Sequence, residues 1–253
     1  MSGGWLYHFC KFYVRKKEGF SYDFDKNGEE WLLKRLAPLD FRIVFDVGAN
    51  VGGWSKEAVR YFPNARVHAF EISSSTLAKL RKTVPPAVVV NEFGLSDVDR
   101  EIEYKDYGRY QPVNTTLTNS VFHDDAGLKA KTMRTRVRRG DDYCLESKID
   151  TIDFLKIDVE GAEIFVMRGF RDMLERKSIR IVQFEYGYTS ADAGFLMRDY
   201  FRFFEELGYQ VGVLRDGGIK FTPWNYYMND FCSGPNYVAI RKDDRDIVKL
   251  IAA

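Results

Sequence analysis

The sequence predicts a doubly wound α/β fold on a mostly parallel sheet, and three observations carry that prediction. Short β-branched and aromatic runs alternate with helix-compatible segments along most of the chain. Such βα repetition implies a parallel sheet with helices on both faces. One run, FRIVFDVGANVGG (residues 41–53), passes from strand through a glycine turn directly into helix, the first half of a nucleotide-binding βαβ unit. Finally, Asp46, Glu71, Asp158 and Glu185 each close a predicted strand. All four therefore face the carboxyl rim, where open α/β sheets bind ligands.

Length and composition narrow the class. A chain of 253 residues suits one domain with a small appendage, expected here as a helical segment 1–40 before a main domain 41–253. Thirty-eight Lys and Arg against 37 Asp and Glu leave a net charge of +1, so no global field points to nucleic acid. Cys10, Cys144 and Cys232 form neither a disulfide framework nor a zinc motif. No apolar run has the roughly 20 residues of a spanning helix, and the N-terminus lacks the marks of a signal peptide. A soluble, cytoplasmic protein is the expectation.

Along the chain, WLYHFCKFYVRKK (residues 5–17) sets Trp5, Phe9, Phe12 and Tyr13 at helical spacing, with cations at the far end. Such a helix packs on the domain or on a second subunit, or makes peripheral contact with a membrane. A charged turn (23–28) and the helix GEEWLLKRLA, stopped by Pro38, follow. Then come strand 42–46, helix 53–61, strand 66–70 and helix 73–82 with serine caps at 73–75. Pro85 and Pro86 break the chain before strand 87–91. The rhythm lapses between 97 and 150, where EIEY (101–104) and MRTRVR (133–138) alternate as an antiparallel hairpin around a long, mobile polar loop. It returns with strand 152–157, a short helix from Gly161, strand 179–184, helix 192–207 and strand 209–214. The aromatic loop FTPWNYYMND (221–230) and a last strand, 236–241, complete the chain.

The glycine turn identifies the ligand class. A dinucleotide turn reads G-x-G-x-x-G, whereas here the glycines are Gly48, Gly52 and Gly53, with Asn50 in place of the second. Asp46 just before them would repel a diphosphate and suit a cationic ligand. Glu71 stands where an acid reads ribose hydroxyls. Together they favour S-adenosylmethionine (SAM) over NAD.

The strings VFDVGANVGGWS, HAFEIS, NEFGLSD and DFLKIDVEGAE follow one another as in the FkbM family of SAM-dependent methyltransferases, which this chain resembles over residues 42–185. The resemblance implies a seven-stranded class I methyltransferase sheet with an antiparallel last strand, and O-methylation of sugar or polyketide hydroxyls. It also implies that Asp46, Gly48, Asn50 and Gly52 line the methionine end of SAM, that Glu71 takes the ribose, and that Gly94 and Leu95 lie near the adenine. The first 40 residues and loop 107–132 fall outside the match.

Methyl transfer from a sulfonium needs in-line positioning, and a sugar hydroxyl reacts only when its proton has somewhere to go. Asp158, Glu160, Glu185 and His123 are the candidate catalytic groups. Asp158 would alternatively hold the SAM ammonium, and Glu160 and Glu163 flank a helix start, where acids are favourable without chemistry. Asp158 and Glu185, on strands expected to be adjacent, are also placed to hold Mg²⁺ or another divalent metal, an arrangement similar to catechol-type O-methyltransferases. For the acceptor, Arg134, Arg136 and Arg138 share one strand face, either as a solvated edge or as a seat for an anion. Trp224, Tyr226 and Tyr227 offer core packing or a stacking platform. The leading expectation is an O-methyltransferase for a hydroxyl of a sugar or glycan-like acceptor, anionic in one version. A nicotinamide-dependent oxidoreductase and a non-catalytic scaffold are the alternatives.

Overall fold

A computed structural model describes residues 4–107, 129–231 and 233–253. The polar loop and His123 lie outside the described residues, as does Cys232. After α1 (Gly4–Lys17) and α2 (Glu29–Leu36), the expected alternation runs β1 (Ile43–Val47), α3 (Gly53–Tyr61), β2 (Arg66–Phe70), α4 (Ser74–Thr83) and β3 (Val89–Asn91). Strand β3 is shorter than the apolar run, because Val88 donates its N–H to Pro85 in a turn (3.0 Å). Next come β4 (Gly94–Ser96), β5 (Arg100–Asp106), β6 (Lys131–Arg139) and α5 (Gly140–Glu146). Strands β5 and β6 form the expected antiparallel hairpin, and β4 joins β6 in parallel to make a small separate sheet.

The second half comprises β7 (Ile152–Ile157), α6 (Glu163–Gly169), α7 (Arg171–Glu175), β8 (Ile179–Glu185), α8 (Tyr188–Asp192) and α9 (Met197–Glu206), then β9 (Tyr209–Arg215), β10 (Gly218–Phe221), β11 (Asn236–Arg241) and α10 (Arg245–Ile251). Two expectations are corrected here. The helix expected over 192–207 begins only at Met197, because α8 ends at Asp192, Gly194 takes a left-handed φ of 86° and Asp199 accepts the Leu196 N–H (2.9 Å) to start the new helix. The main sheet has eight strands where seven were expected. The order is β10-β9-β11-β8-β7-β1-β2-β3, and the extra edge strand β10 folds back on β9 through Asp216-Gly217, a hairpin turn pair. Strand β11 runs antiparallel to both neighbours, as expected for the last strand. The remainder is the doubly wound, mostly parallel sheet that the sequence predicts.

Side chains alternate across this sheet and divide the core into two layers. Phe45, Leu155, Val182 and Phe184 point to the side of α6 and α9. Val44, Phe154, Ile181 and Val238 point to the side of α2, α3, α4 and α10. Leu32, Leu33 and Leu36 of α2 are fully buried there with Ile247 and Ile251 of α10. Among the described residues no helix is long and apolar enough to cross a membrane.

Candidate active site

The strand order sets β8, β7, β1 and β2 side by side, so their carboxyl ends form one continuous rim. The chain builds outward from β1 through β2 and β3 on one side, and from β7 on the other. The β1/β7 boundary is thus the switch point at which such sheets bind ligands. The turn after β1 is suspended from its neighbour, with the N–H groups of Gly48 and Ala49 both donating to the Phe70 carbonyl (3.0 and 2.9 Å). Gly48 has φ +86°, and a Cβ there would lie 1.8 Å from the Asp158 carbonyl oxygen. Only glycine lets the two turns come this close.

Asp46 is fully buried. Its Oδ2 accepts from Ser55 Oγ (2.6 Å), and its Oδ1 lies 3.5 Å from Lys156 Nζ. The same ammonium is 3.0 Å from Asp158 Oδ2. Burial pushes the Asp46 pKa up, against the pull of Lys156. For Lys156 burial opposes the charge, but Asp158, Asp46 and Glu29 outweigh it and hold the pKa above its ordinary value. Asp158 stays ionised as its counter-ion, with a pKa lowered by Lys156 despite burial. The negative charge of Asp46 is thus met inside the protein, and Lys156 links it to the rim. Glu29 of α2 stands on the far side of this group, accepting from Asn27 Nδ2 (2.7 Å) and Gln183 Nε2 (2.6 Å). Neither Lys156 nor Glu29 was singled out from the sequence. A lysine inside the apolar run FLKI was the available signal for the first; nothing in the sequence marked the second.

At the ends of β7 and β8, Asp158, Glu160 and Glu185 converge, each with a carboxylate oxygen within 4.8 Å of the others. Glu160 holds a left-handed φ of 54°, unfavourable for a residue with a Cβ. Burial, followed by the charge of Asp158, drives the pKa of both Glu160 and Glu185 well above the carboxylate range. A hydrogen bond to Asp158 also favours the protonated form of Glu185. Glu163 does something else. It is buried and accepts the backbone N–H groups of Val159 and Gly161 (3.1 Å each), so it pins the turn carrying Glu160.

On the other side of the switch point, Glu71 Oε2 accepts the Asn50 N–H (2.8 Å) and Oε1 the Ser73 N–H (2.7 Å). Gly94 and Leu95 lie in β4, both buried. The acceptor candidates separate. Arg134, Arg136 and Arg138 do share a face of β6, but acids meet each of them. Arg136 makes a forked pair with Asp99 (2.9 and 3.0 Å), Arg138 reaches Glu146 (2.6 Å) and Arg134 lies 3.5 Å from Glu103. Their hairpin ends beside α4, where Asp106 meets Ser73 and Ser75. The aromatic loop lies at the other end of the rim: Phe231 packs on Tyr188 and Tyr186 just after β8 (ring centroids 4.4 and 5.5 Å). There Trp224 is half-buried against the core, 4.9 Å from the ring of exposed Tyr226, and Tyr227 is exposed. Strands β7 and β1 separate the two groups.

The family model of the Methyltransferase FkbM domain matches residues 46–211. The chain belongs to the FkbM methyltransferase family. Its match begins at Asp46 and includes the glycine turn, Lys156 and all three rim carboxylates. The 2-O-methyltransferase NoeI of Sinorhizobium fredii is 25% identical over 159 residues, 57% of this chain and 63% of that protein. The hexuronic acid methyltransferase AglP of Haloferax volcanii is 25% identical over 160 residues, 62% of each. The AMB antimetabolite synthetase AmbE of Pseudomonas aeruginosa is 31% identical over 172 residues, 55% of this chain but 8% of that much longer protein. The chain thus matches less than two thirds of the length of these relatives. Among solved structures, a precorrin-6y C5,15-methyltransferase from Geobacter metallireducens is similar at a TM-score of 0.43 and 15% identity, covering 88% of this chain and 90% of that one.

Membership makes the 46–211 region a SAM-dependent methyltransferase domain, and three local features fit that cofactor. The Oδ1 of Asn50 is buried without a hydrogen-bond partner. A Cβ built on Gly53, at the start of α3, meets nothing within 4 Å, so the helix N-terminus opens onto space. Glu71 retains unused lone pairs beside it, since an ionised carboxylate accepts about four hydrogen bonds.

Proposed function

We propose that this protein transfers the methyl group of SAM to a hydroxyl of a sugar-like acceptor carrying a negative charge. The observation that carries the proposal is the convergence of Asp158, Glu160 and Glu185 on the rim that also holds Glu71 and the glycine turn. Bound SAM supplies an electrophilic methyl. In this reading Gly48, Asn50, Gly52 and the start of α3 receive its methionine carboxylate, since helix N–H groups favour anions. Glu71 takes the ribose hydroxyls, Gly94 and Leu95 border the adenine, and Asp158 faces the ammonium.

The three carboxylates take up the proton of the acceptor hydroxyl. Asp158 is the ionised member of the cluster, and Glu185, hydrogen-bonded to it, is proposed to take the hydroxyl proton on one oxygen while passing its own proton to Asp158. Trp224, Tyr226 and Tyr227, beside the end of β8, offer the sugar ring its apolar face; Arg134, Arg136 and Arg138, already met by acids beyond β1, are left out of this reading. An acidic sugar is favoured because one relative, AglP, is named for hexuronic acid, and a hydroxyl because another, NoeI, is named for 2-O transfer.

A second reading has one observation in its favour. The oxygens of Asp158, Glu160 and Glu185 also suit a hard divalent cation, which would supply Lewis-acid activation of the hydroxyl. One experiment separates the two: methyl transfer from SAM to a hexuronate glycoside and to its neutral hexose counterpart, with and without EDTA. With a side-chain base, turnover persists in EDTA, favours the hexuronate, and falls about 10²–10⁴-fold in Glu185→Gln. Loss in EDTA restored by Mg²⁺ would assign the cluster to metal, and equal rates on both sugars would remove the anionic acceptor.

A further inference from the structure

Helix α1 is oriented the wrong way round for a helix that packs on its own domain. At 100° per residue, Lys11 and Arg15 fall on one side, and this polar side faces the protein. Lys11 Nζ meets the Tyr188 hydroxyl and Arg15 reaches the Phe231 carbonyl (3.4 Å) while lying over the Phe20 ring. About 100° round the helix from that side Trp5, Phe9 and Phe12 form a stripe, and Leu6 and Tyr13 stand directly opposite Lys11 and Arg15. These five side chains are 51–69% exposed, and α1 buries no residue. An uncovered stripe of large aromatics is a contact surface in search of a partner.

Charge decides which partner. The helix has no acidic residue, and its last turn is Arg15, Lys16, Lys17. A second copy of this helix would bring no acid to that triplet, whereas an anionic bilayer supplies charge and interface together. Trp and Tyr settle at headgroup depth, Phe and Leu enter the acyl boundary, and Lys and Arg draw phosphate headgroups over a Debye length. We infer that α1 lies in the surface of an anionic membrane. Its two anchors, Tyr188 and Phe231, stand just beyond Glu185 and on the aromatic loop, so a chain attached this way holds its acceptor end against the lipid. The inference goes beyond methyl transfer and does not depend on it.

Flotation of the full chain with vesicles tests it directly. Phosphatidylcholine vesicles containing phosphatidylglycerol should carry the protein up, and high salt should release part of it. Lys16→Glu/Lys17→Glu, at two exposed positions, should lower the partition about tenfold or more. Phe9→Glu/Phe12→Glu should abolish it, with S-adenosylhomocysteine binding and the thermal transition of both variants unchanged. Failure to float with anionic vesicles overturns the inference, as does equal flotation with phosphatidylcholine alone. A dimer in sedimentation velocity that Phe9→Glu/Phe12→Glu dissociates, with no flotation, would assign the stripe to a second copy instead.

Discussion

Lys156→Met is expected to lose about 3–5 kcal/mol of stability at neutral pH, the usual cost of removing one partner from a buried charge pair. The methionine fills most of the lysine stem, so the loss is electrostatic. Asp46, with no solvent exposure, and Asp158 are left without their shared ammonium. The pH dependence identifies the cause. In the variant both carboxylates have folded-state pKa values raised above their unfolded ones, so each folded carboxyl holds its proton more tightly than the unfolded one. The penalty is therefore full above those raised values and shrinks as pH falls toward the ordinary carboxylate range. Asp46→Asn placed on top of Lys156→Met should recover part of the loss, since an amide needs no counter-charge. Urea denaturation of the single and double variants at pH 7 and near pH 4 checks both statements. A Lys156→Met protein as stable as wild type at pH 7 would mean that the bridge contributes nothing.

Gly48→Ala should cost more than about 3 kcal/mol and abolish cofactor binding, since backbone strain and overpacking act together. The φ of +86° is unfavourable for alanine, and the obstacle at 1.8 Å is the Asp158 carbonyl, which is backbone and cannot rotate away. Relief requires the turns after β1 and β7 to separate, and those turns form the site. Gly53→Ala is the contrasting control. It sits in the first turn of α3 with open space around the new methyl, where alanine favours helix by up to about 1 kcal/mol. Gly53→Ala should therefore keep its stability, and any loss of cofactor affinity there reports the ligand rather than the fold. Thermal denaturation and S-adenosylhomocysteine titration of the two variants make the comparison.

The parts of the site that lie at strand ends were legible, because a strand end and its acid are contiguous in sequence. Once the βα rhythm orders the strands, Asp46, Glu71, Asp158 and Glu185 must share a rim. What was not legible depends on which distant groups meet. Lys156 was visible as a charge inside an apolar strand, but its partners Asp46 and Glu29 belong to other elements. The burial that makes them matter is a property of the folded sheet. The alternation of Arg134, Arg136 and Arg138 was readable from period 2, while the acids facing them follow from the register of β5 and from α5. The β9–β10 turn had its Asp216-Gly217 signal in plain sight, and Gly194 likewise marked the break between α8 and α9. The inverted face of α1 was not readable, since spacing shows that a helix is two-sided and not which side meets the domain.

The central claim, that this rim is built for SAM, is tested most directly by thermal denaturation with S-adenosylhomocysteine and, separately, with NAD. At a hundred times its dissociation constant, S-adenosylhomocysteine should add about 2.7 kcal/mol of stability, and Glu71→Ala should remove much of that gain. Stabilisation by NAD with none from S-adenosylhomocysteine would contradict it.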